Sequence, residues 1–267
     1  MLILLPPSEG KTAPRRGKPL DVSSLSFPDL HQQRSEVLDA LVSLCTTDSG
    51  TDRDEARAAA ARTLGLGSTQ ASEVDRNAAL ATAPTARADR VYTGVLYEAL
   101  DPASLEGAAK RRATAWLAIA SGLFGLVRPH DRIPAYRLAG DVTLPGIGTA
   151  STYWNAHLDS AVREAAGSGL VIDLRSSTYA AFWRPSPRLA PRVATVRVLH
   201  EVDGRRKVVS HFNKATKGRI VRALLEDGGV PGTPPQLADQ LAALGWKVEL
   251  GEAGRGGTRL DVVVSDL

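Results

Sequence analysis

The sequence predicts an α/β protein, a mixed sheet with flanking helices and a helical insertion near residues 28–82. Three observations predict it. Short apolar runs, MLILL at 1–5 and LVIDL at 170–174, have the length of buried strands and end in polar residues. Segments of helical spacing alternate with such runs, the pattern of strand–helix–strand units. Asp203-Gly204, between RVATVRVLHEV and RKVVSHF, is the strongest short hairpin signal in the chain and implies an antiparallel pair within the sheet.

The elements follow in order. Residues 1–5 form a strand. Pro28 suits a first helical turn, and Leu30, Val37, Leu38, Leu41, Val42 and Cys45 then recur at helical spacing. Residues 52–64 carry early acidic residues and end before Gly65, so both termini have helix signals. A third helix covers 70–80. VYTGVLYEAL at 91–100 begins as a strand and turns helical near Gly94, and Asp101-Pro102 reads as the cap and first position of a helix to about 112. TAWLAIASG at 114–122 is β-prone, and the polar, Pro-broken stretch to residue 138 is loop-rich. Helices over 152–166, 213–227 and 234–244, the strand at 170–174 and terminal strands at WKVEL and TRLDVVV complete the reading. With 267 residues, no internal repeat and no low-complexity tract, the chain is expected to form one domain, 1–267.

Composition excludes several classes. Hydrophobic residues at 43% and charged residues at 23% describe an ordinary globular chain, and no apolar run reaches the roughly 20 residues of a membrane helix. The N-terminus lacks a basic region and a cleavage site, so the expected location is cytoplasmic, with no membrane partner. The single cysteine, Cys45, excludes an internal disulfide framework and a cysteine zinc site, and it sits on an apolar helical face as a small hydrophobe. His31, His130, His157, His200 and His211 show no metal-ligand spacing. No metal or cofactor is therefore expected.

The opening MLILLPPSEGKT ends like a phosphate-binding loop in Gly10-Lys11-Thr12. The required first glycine falls on Leu5, Pro6 and Pro7 have no N–H to offer a phosphate, and Pro14 and Pro19 oppose the helix that should follow. Ser8 and Lys11 also have the spacing of serine acyl enzymes, but Pro6, Pro7 and Gly10 oppose the helix that would bring them together. What remains is a strand end presenting Ser8, Glu9, Lys11 and Thr12, with Lys11 as an anion contact.

The net charge is +4 with basic clusters at Arg15, Arg16 and Lys18, at 110–112, and at Lys207, Lys214, Lys217, Arg219 and Arg222. Such clusters suit phosphates, and equally a solvated face. Leu144 to Ala150, LPGIGTA, is close to the turn of a helix-hairpin-helix, with SGLFGLV at 121–127 a weaker match; an ordinary tight turn explains either. Few aromatic residues argue for backbone rather than base-stacking contact. An enzyme is the other reading. Arg128, Asp131, Tyr136 and Arg137 lie within ten residues, where an arginine pair clamps an anion and Asp131 serves as a base; the bland account is an Asp131–Arg137 salt bridge.

Several segments line up, in order, with one family. LLPPSEGK at the start, VYTG at 91–94, SGLFGLVRPHDRIPAYRL at 121–138, YW at 153–154, VIDLRSSTY at 171–179 and HFNKATKGR at 211–219 resemble the YaaA family, also called DUF328 or UPF0246. The resemblance covers nearly the whole chain. It implies a cytoplasmic protein of the peroxide and oxidative stress response that limits iron-linked DNA damage, with a YaaA-like α/β fold, a positively charged cleft and a helix-hairpin-helix that binds duplex or branched DNA. The candidate ligand- or DNA-binding residues, gathered from strand ends and from these segments, are Ser8, Lys11, Tyr92, Thr93, Ser121, Gly122, Arg128, Arg137, Ser176, Tyr179, Asn213, Lys214, Lys217 and Arg219. The alternative is an enzyme acting on a nucleotide, nucleobase or related small anion in the same cleft, with catalytic candidates Lys11, Arg128, Asp131, Tyr136 and Arg137; a third is a non-catalytic stress adaptor. PPSEGK in place of a shorter SPAK-type motif, Thr178 before Tyr179 and Lys217 in place of an arginine mark a separate branch.

Overall fold

The computed structural model describes residues 1–46, 53–202, 205–207 and 209–265. β1 (Leu2–Leu5) precedes a helical insertion of α1 (His31–Cys45), α2 (Arg53–Thr63) and α3 (Ser72–Ala78). The short strand β2 (Ala86–Arg87) and helices α4 (Ala88–Val91), α5 (Val95–Leu100) and α6 (Gly107–Trp116) lead to β3 (Leu117–Ser121) and β4 (Gly125–Val127). Three two-residue strands follow, β5 (Arg132–Ile133), β6 (Thr143–Leu144) and β7 (Gly148–Thr149), then α7 (Ala150–Ala166) and β8 (Val171–Asp173). Next come α8 (Ser177–Ala180), β9 (Val193–Val202), β10 (Arg205–Lys207), α9 (Ser210–Asp227), α10 (Pro234–Ala243), β11 (Lys247–Gly254) and β12 (Gly257–Val264).

The main sheet has the order β11-β12-β9-β8-β1-β3-β4, with β10 paired to the far end of β9. β12, β9, β8, β1 and β3 run parallel, and β11, β4 and β10 are antiparallel additions. β1 and β8 are buried along their whole length, which is why both read as unbroken apolar runs rather than alternating ones. The chain leaves β1 toward β3 on one side and leaves β8 toward β9 on the other. The winding direction therefore reverses between β1 and β8, where α/β sheets open a crevice at the carboxyl ends of their strands.

The insertion is tied to the sheet by polar contacts. Arg34 of α1 is fully buried and donates to the carbonyls of Phe124 at 3.1 Å and Leu126 at 2.7 Å. Asn77 of α3 donates to the Arg137 carbonyl at 2.8 Å and accepts from the Arg137 N–H at 2.9 Å. Cys45 is buried, and burial pushes its thiol up to about 11.

Six local expectations are corrected. Asp101 adopts a left-handed backbone with φ of 44° and caps nothing with its side chain; Pro102–Ser104 is a single 3-10 turn, and α6 starts only at Gly107. The helix runs on to Trp116, so the β-prone run is a strand only from Leu117. Residues 91–92 end α4 and make a bridge to Lys11 rather than a strand. Ser210 and Phe212 belong to α9, not to the second arm of the hairpin, whose strand is Arg205–Lys207; Asp203-Gly204 lie outside the described residues. LPGIG is also not a turn between helices, because Thr143–Leu144 and Gly148–Thr149 pair as antiparallel strands around it. SGLFGLV likewise turns between β3 and β4, where Gly125 has a φ of 69° and an added Cβ would lie 2.6 Å from the Trp154 ring. Among the described residues, no helix is long and apolar enough to cross a membrane.

Candidate anion-binding cleft

A cleft of about 710 Å³ opens at the carboxyl ends of β1 and β8. Its walls are Pro6 to Gly10 after β1, Thr93 to Tyr97 at the start of α5, Leu174 to Ser177 after β8, Val196 to Val198 of β9, and Asn213, Lys214 and Lys217 of α9. The lining combines apolar walls with a few convergent polar groups, the composition of small-molecule sites.

The loop after β1 is braced on α5. The Ser8 hydroxyl donates to the Gly10 carbonyl at 2.6 Å and accepts from the Thr93 N–H at 3.0 Å, while the Tyr97 hydroxyl donates to the Pro6 carbonyl at 2.7 Å. α9 then packs directly on α5. Gly218 permits this, since a Cβ there would sit 2.3 Å from the Leu96 carbonyl oxygen. The close approach carries the preceding Lys217 to the cleft, where its ammonium donates to the carbonyls of Leu174 at 2.8 Å and Arg175 at 3.2 Å. Burial lowers this amine to about 8, against the pull of the nearby Asp173 carboxylate. Asp173 is already committed. Burial alone would raise its carboxyl, but Arg175, bonded to both oxygens at 2.9 and 2.7 Å, holds it below the usual range.

Lys11 stands behind the loop rather than on the wall. Its ammonium donates to the Ser8 carbonyl at 2.8 Å and lies 4.3 Å from the centre of the Tyr136 ring and 5.6 Å from that of Tyr92. Burial lowers it to about 8, opposed by Glu9 and assisted by Arg137. The Tyr136 hydroxyl shares hydrogen bonds with Tyr92 at 2.9 Å and Ser121 at 2.7 Å, forming a buried polar chain beneath the lysine. Burial raises both phenols, Tyr92 to about 12.

The structure thus brings Ser8, Thr93, Ser176, Tyr179, Asn213, Lys214 and Lys217 into one cleft. Lys11, Tyr92, Tyr136 and Ser121 support it from behind. Arg137 lines an adjoining compartment of about 680 Å³ that shares Glu9, Ser176 and Tyr179 with the first. Arg219 is exposed on α9, outside the wall. Gly122 is buried, with an added Cβ 2.4 Å from the Leu138 carbonyl oxygen, so it serves packing.

Arg128 and Asp131 do not belong to the cleft. Arg128 donates to the carbonyls of Ala115 at 2.8 Å and Leu117 at 2.9 Å, at the amino end of β3, and stacks 5.0 Å from the Phe27 ring. The buried Asp131 accepts from the N–H and hydroxyl of Ser26 at 3.0 and 2.7 Å and from the Arg128 N–H at 2.8 Å. No Asp131–Arg137 bridge forms; Arg137 pairs with Glu9 at 2.7 Å. Sequence proximity grouped these residues, but β5, paired with β2, lies between them in the chain and their side chains bond to different partners. Glu9, Arg62, Asp141 and Arg175 are site residues that the motif reading did not select. Glu9 was within reach of it as part of the polar strand end, whereas Arg62 lies at the end of a helix with no local chemical signal.

The comparisons with known proteins agree with this arrangement of motifs. The family model described as peroxide stress protein YaaA matches residues 1–248. The chain belongs to the peroxide stress protein YaaA family. A UPF0246 protein of Streptomyces coelicolor is 51% identical over 269 residues, covering 100% of both chains. A UPF0246 protein of Corynebacterium efficiens is 41% identical over 94% of this chain and 96% of its own. One of Corynebacterium glutamicum is 42% identical over 84% of each.

Proposed function

We propose that this member of the peroxide stress family binds a small anionic ligand of the nucleotide or nucleobase class in the cleft between β1 and β8, and acts on it as an enzyme in the cytoplasm. The observation that carries this reading is Lys217. Its amine is lowered to about 8 on the wall of a cleft of ligand size, is held by two carbonyls, and has no ion pair among the described residues. A largely desolvated cation with no direct ion pair is stabilised by an incoming anion, and an amine titrating near neutrality can move a proton. A thermal-shift screen of mononucleotides, nucleosides and nucleobases tests it. The expected result is a saturable upward shift with one anionic class, lost in Lys217→Ala.

A second reading, binding of duplex or branched DNA with protection against iron-linked damage, draws on exposed cations. Lys214 and Arg219 on α9 and Arg15, Arg16 and Lys18 after the loop are all exposed. Phosphate contacts from these side chains would work without a helix-hairpin-helix. They predict duplex affinity that falls steeply with salt, and a slope reduced by roughly two in the Lys214→Ala, Arg219→Ala double variant. A flat salt dependence, or an unchanged slope in the double variant, would remove this reading.

A further inference from the structure

We propose that the Arg137 compartment is the anion subsite of the cleft and that Glu9 is an internal carboxylate occupying it until the phosphate or carboxylate of a ligand takes its place. This deepens, and rests on, the small-anion reading above. The compartment joins the apolar one along Glu9, Ser176 and Tyr179, so a single ligand can extend through both.

The cation is fixed and the carboxylate is not. Asn77 clamps the Arg137 backbone through both its N–H and its carbonyl, and the Arg137 side chain is 18% exposed. Glu9 lies on a turn with its side chain 47% exposed. The contact between them is made at one nitrogen: Arg137 Nη1 lies 2.7 Å from the Glu9 carboxylate in an ion pair and donates to the Glu9 carbonyl at 3.1 Å. Arg137 Nε is buried and has no hydrogen-bond partner among the described residues. A guanidinium binds carboxylate or phosphate best through two parallel donors. Glu9 meets the guanidinium at Nη1 alone, and a ligand anion able to take Nη1 and Nη2 together has the advantage over it.

The other compartment identifies the rest of the ligand. Pro7 and Val95 offer apolar surface for a planar body over the buried Pro6, Leu174, Val196 and Val198, and the Asn213 Oδ1 atom is buried there without a partner among the described residues. An unpaired buried acceptor matches an N–H on that body. The assigned class is a ring carrying N–H groups with one anionic substituent, as in a nucleoside monophosphate or a nucleobase carboxylate. Arg62, at the end of α2, contributes to the anion compartment and gives the helical insertion a part in the site.

Calorimetric titration of adenosine 5′-monophosphate, orotate, adenosine and inorganic phosphate into the full chain and its Glu9→Gln, Arg137→Gln and Lys217→Ala variants tests the assignment. Glu9→Gln should tighten binding of the phosphate or the carboxylate probe roughly fivefold, because the competing ion pair is gone. Arg137→Gln should weaken it by roughly tenfold or more, with adenosine indifferent to both changes. The two variants move affinity in opposite directions, so misfolding of one cannot imitate the pattern. Weaker binding in Glu9→Gln overturns the proposal. Unchanged binding in Arg137→Gln together with loss in Lys217→Ala also overturns it, while preserving the small-anion reading. No binding to the wild-type chain or Glu9→Gln overturns both.

Discussion

Lys217 and Lys11 share an energetic position, two amines drawn from water and lowered from 10.5 to about 8. Below pH 8 each is protonated in both the folded and unfolded chain, and the folded state bears the full cost of burying the charge. Between pH 8 and 10.5 the unfolded chain binds more protons than the folded one, so stability from these groups rises with pH through that window. Lys217→Met should therefore be more stable than the wild type at pH 7, with the difference shrinking toward pH 10, as read by denaturant titrations across that range. A constant difference would show that Lys217 is not buried as a cation. Asp131 makes the opposite case, a buried carboxylate fully satisfied by Ser26 and Arg128 N–H groups. Asp131→Ala should cost about 2–3 kcal/mol of stability by leaving those donors unpaired, and leave ligand affinity of the folded protein unchanged. A Kd that changes with stability held constant would return Asp131 to the site. Asp131 carries no local mark of its role, because a satisfied structural carboxylate and a catalytic one are the same letter. Lys217 and Asn213 were legible as site residues because they lie in the polar, basic segment HFNKATKGR.

At the scale of elements, the cleft depends on how closely α9 approaches α5, and Gly218 sets that distance. Gly218→Ala should destabilise the protein by about 2–3 kcal/mol and weaken ligand binding, since α9 must move away and take Lys217 with it. Unaltered stability would mean that the helices slide apart at no cost. The apolar strands and amphipathic helices were readable because burial on both faces or on one face leaves a period in the sequence. Element ends were not. Asp101-Pro102 has the composition of a helix cap, yet the backbone there is left-handed and the helix waits for Gly107. LPGIG has the composition of a turn between helices, but only the partners of the flanking residues decide between that and the strand hairpin that forms. Tertiary pairing, which no local motif carries, settled both.

At the scale of the molecule, the parallel core was foreseeable from its buried runs, whereas the strand order was not, since β1 lies between β3 and β8 only through long connections. That order makes the reversal point, and the reversal point makes the cleft. The insertion is tied in through the buried Arg34 and through Asn77, so helices and sheet should unfold in one cooperative calorimetric transition. Two separated transitions would make the insertion an independent unit. The central claim, a small-anion site between β1 and β8, is tested most directly by hydrogen exchange with and without saturating adenosine 5′-monophosphate or orotate. Protection confined to residues 6–10, 93–97, 174–179 and 213–217, with residues 62–65 and 137–143 of the anion compartment, is the predicted result. No protection from either ligand at millimolar concentration, with duplex DNA protecting the exposed face of α9 instead, would contradict it.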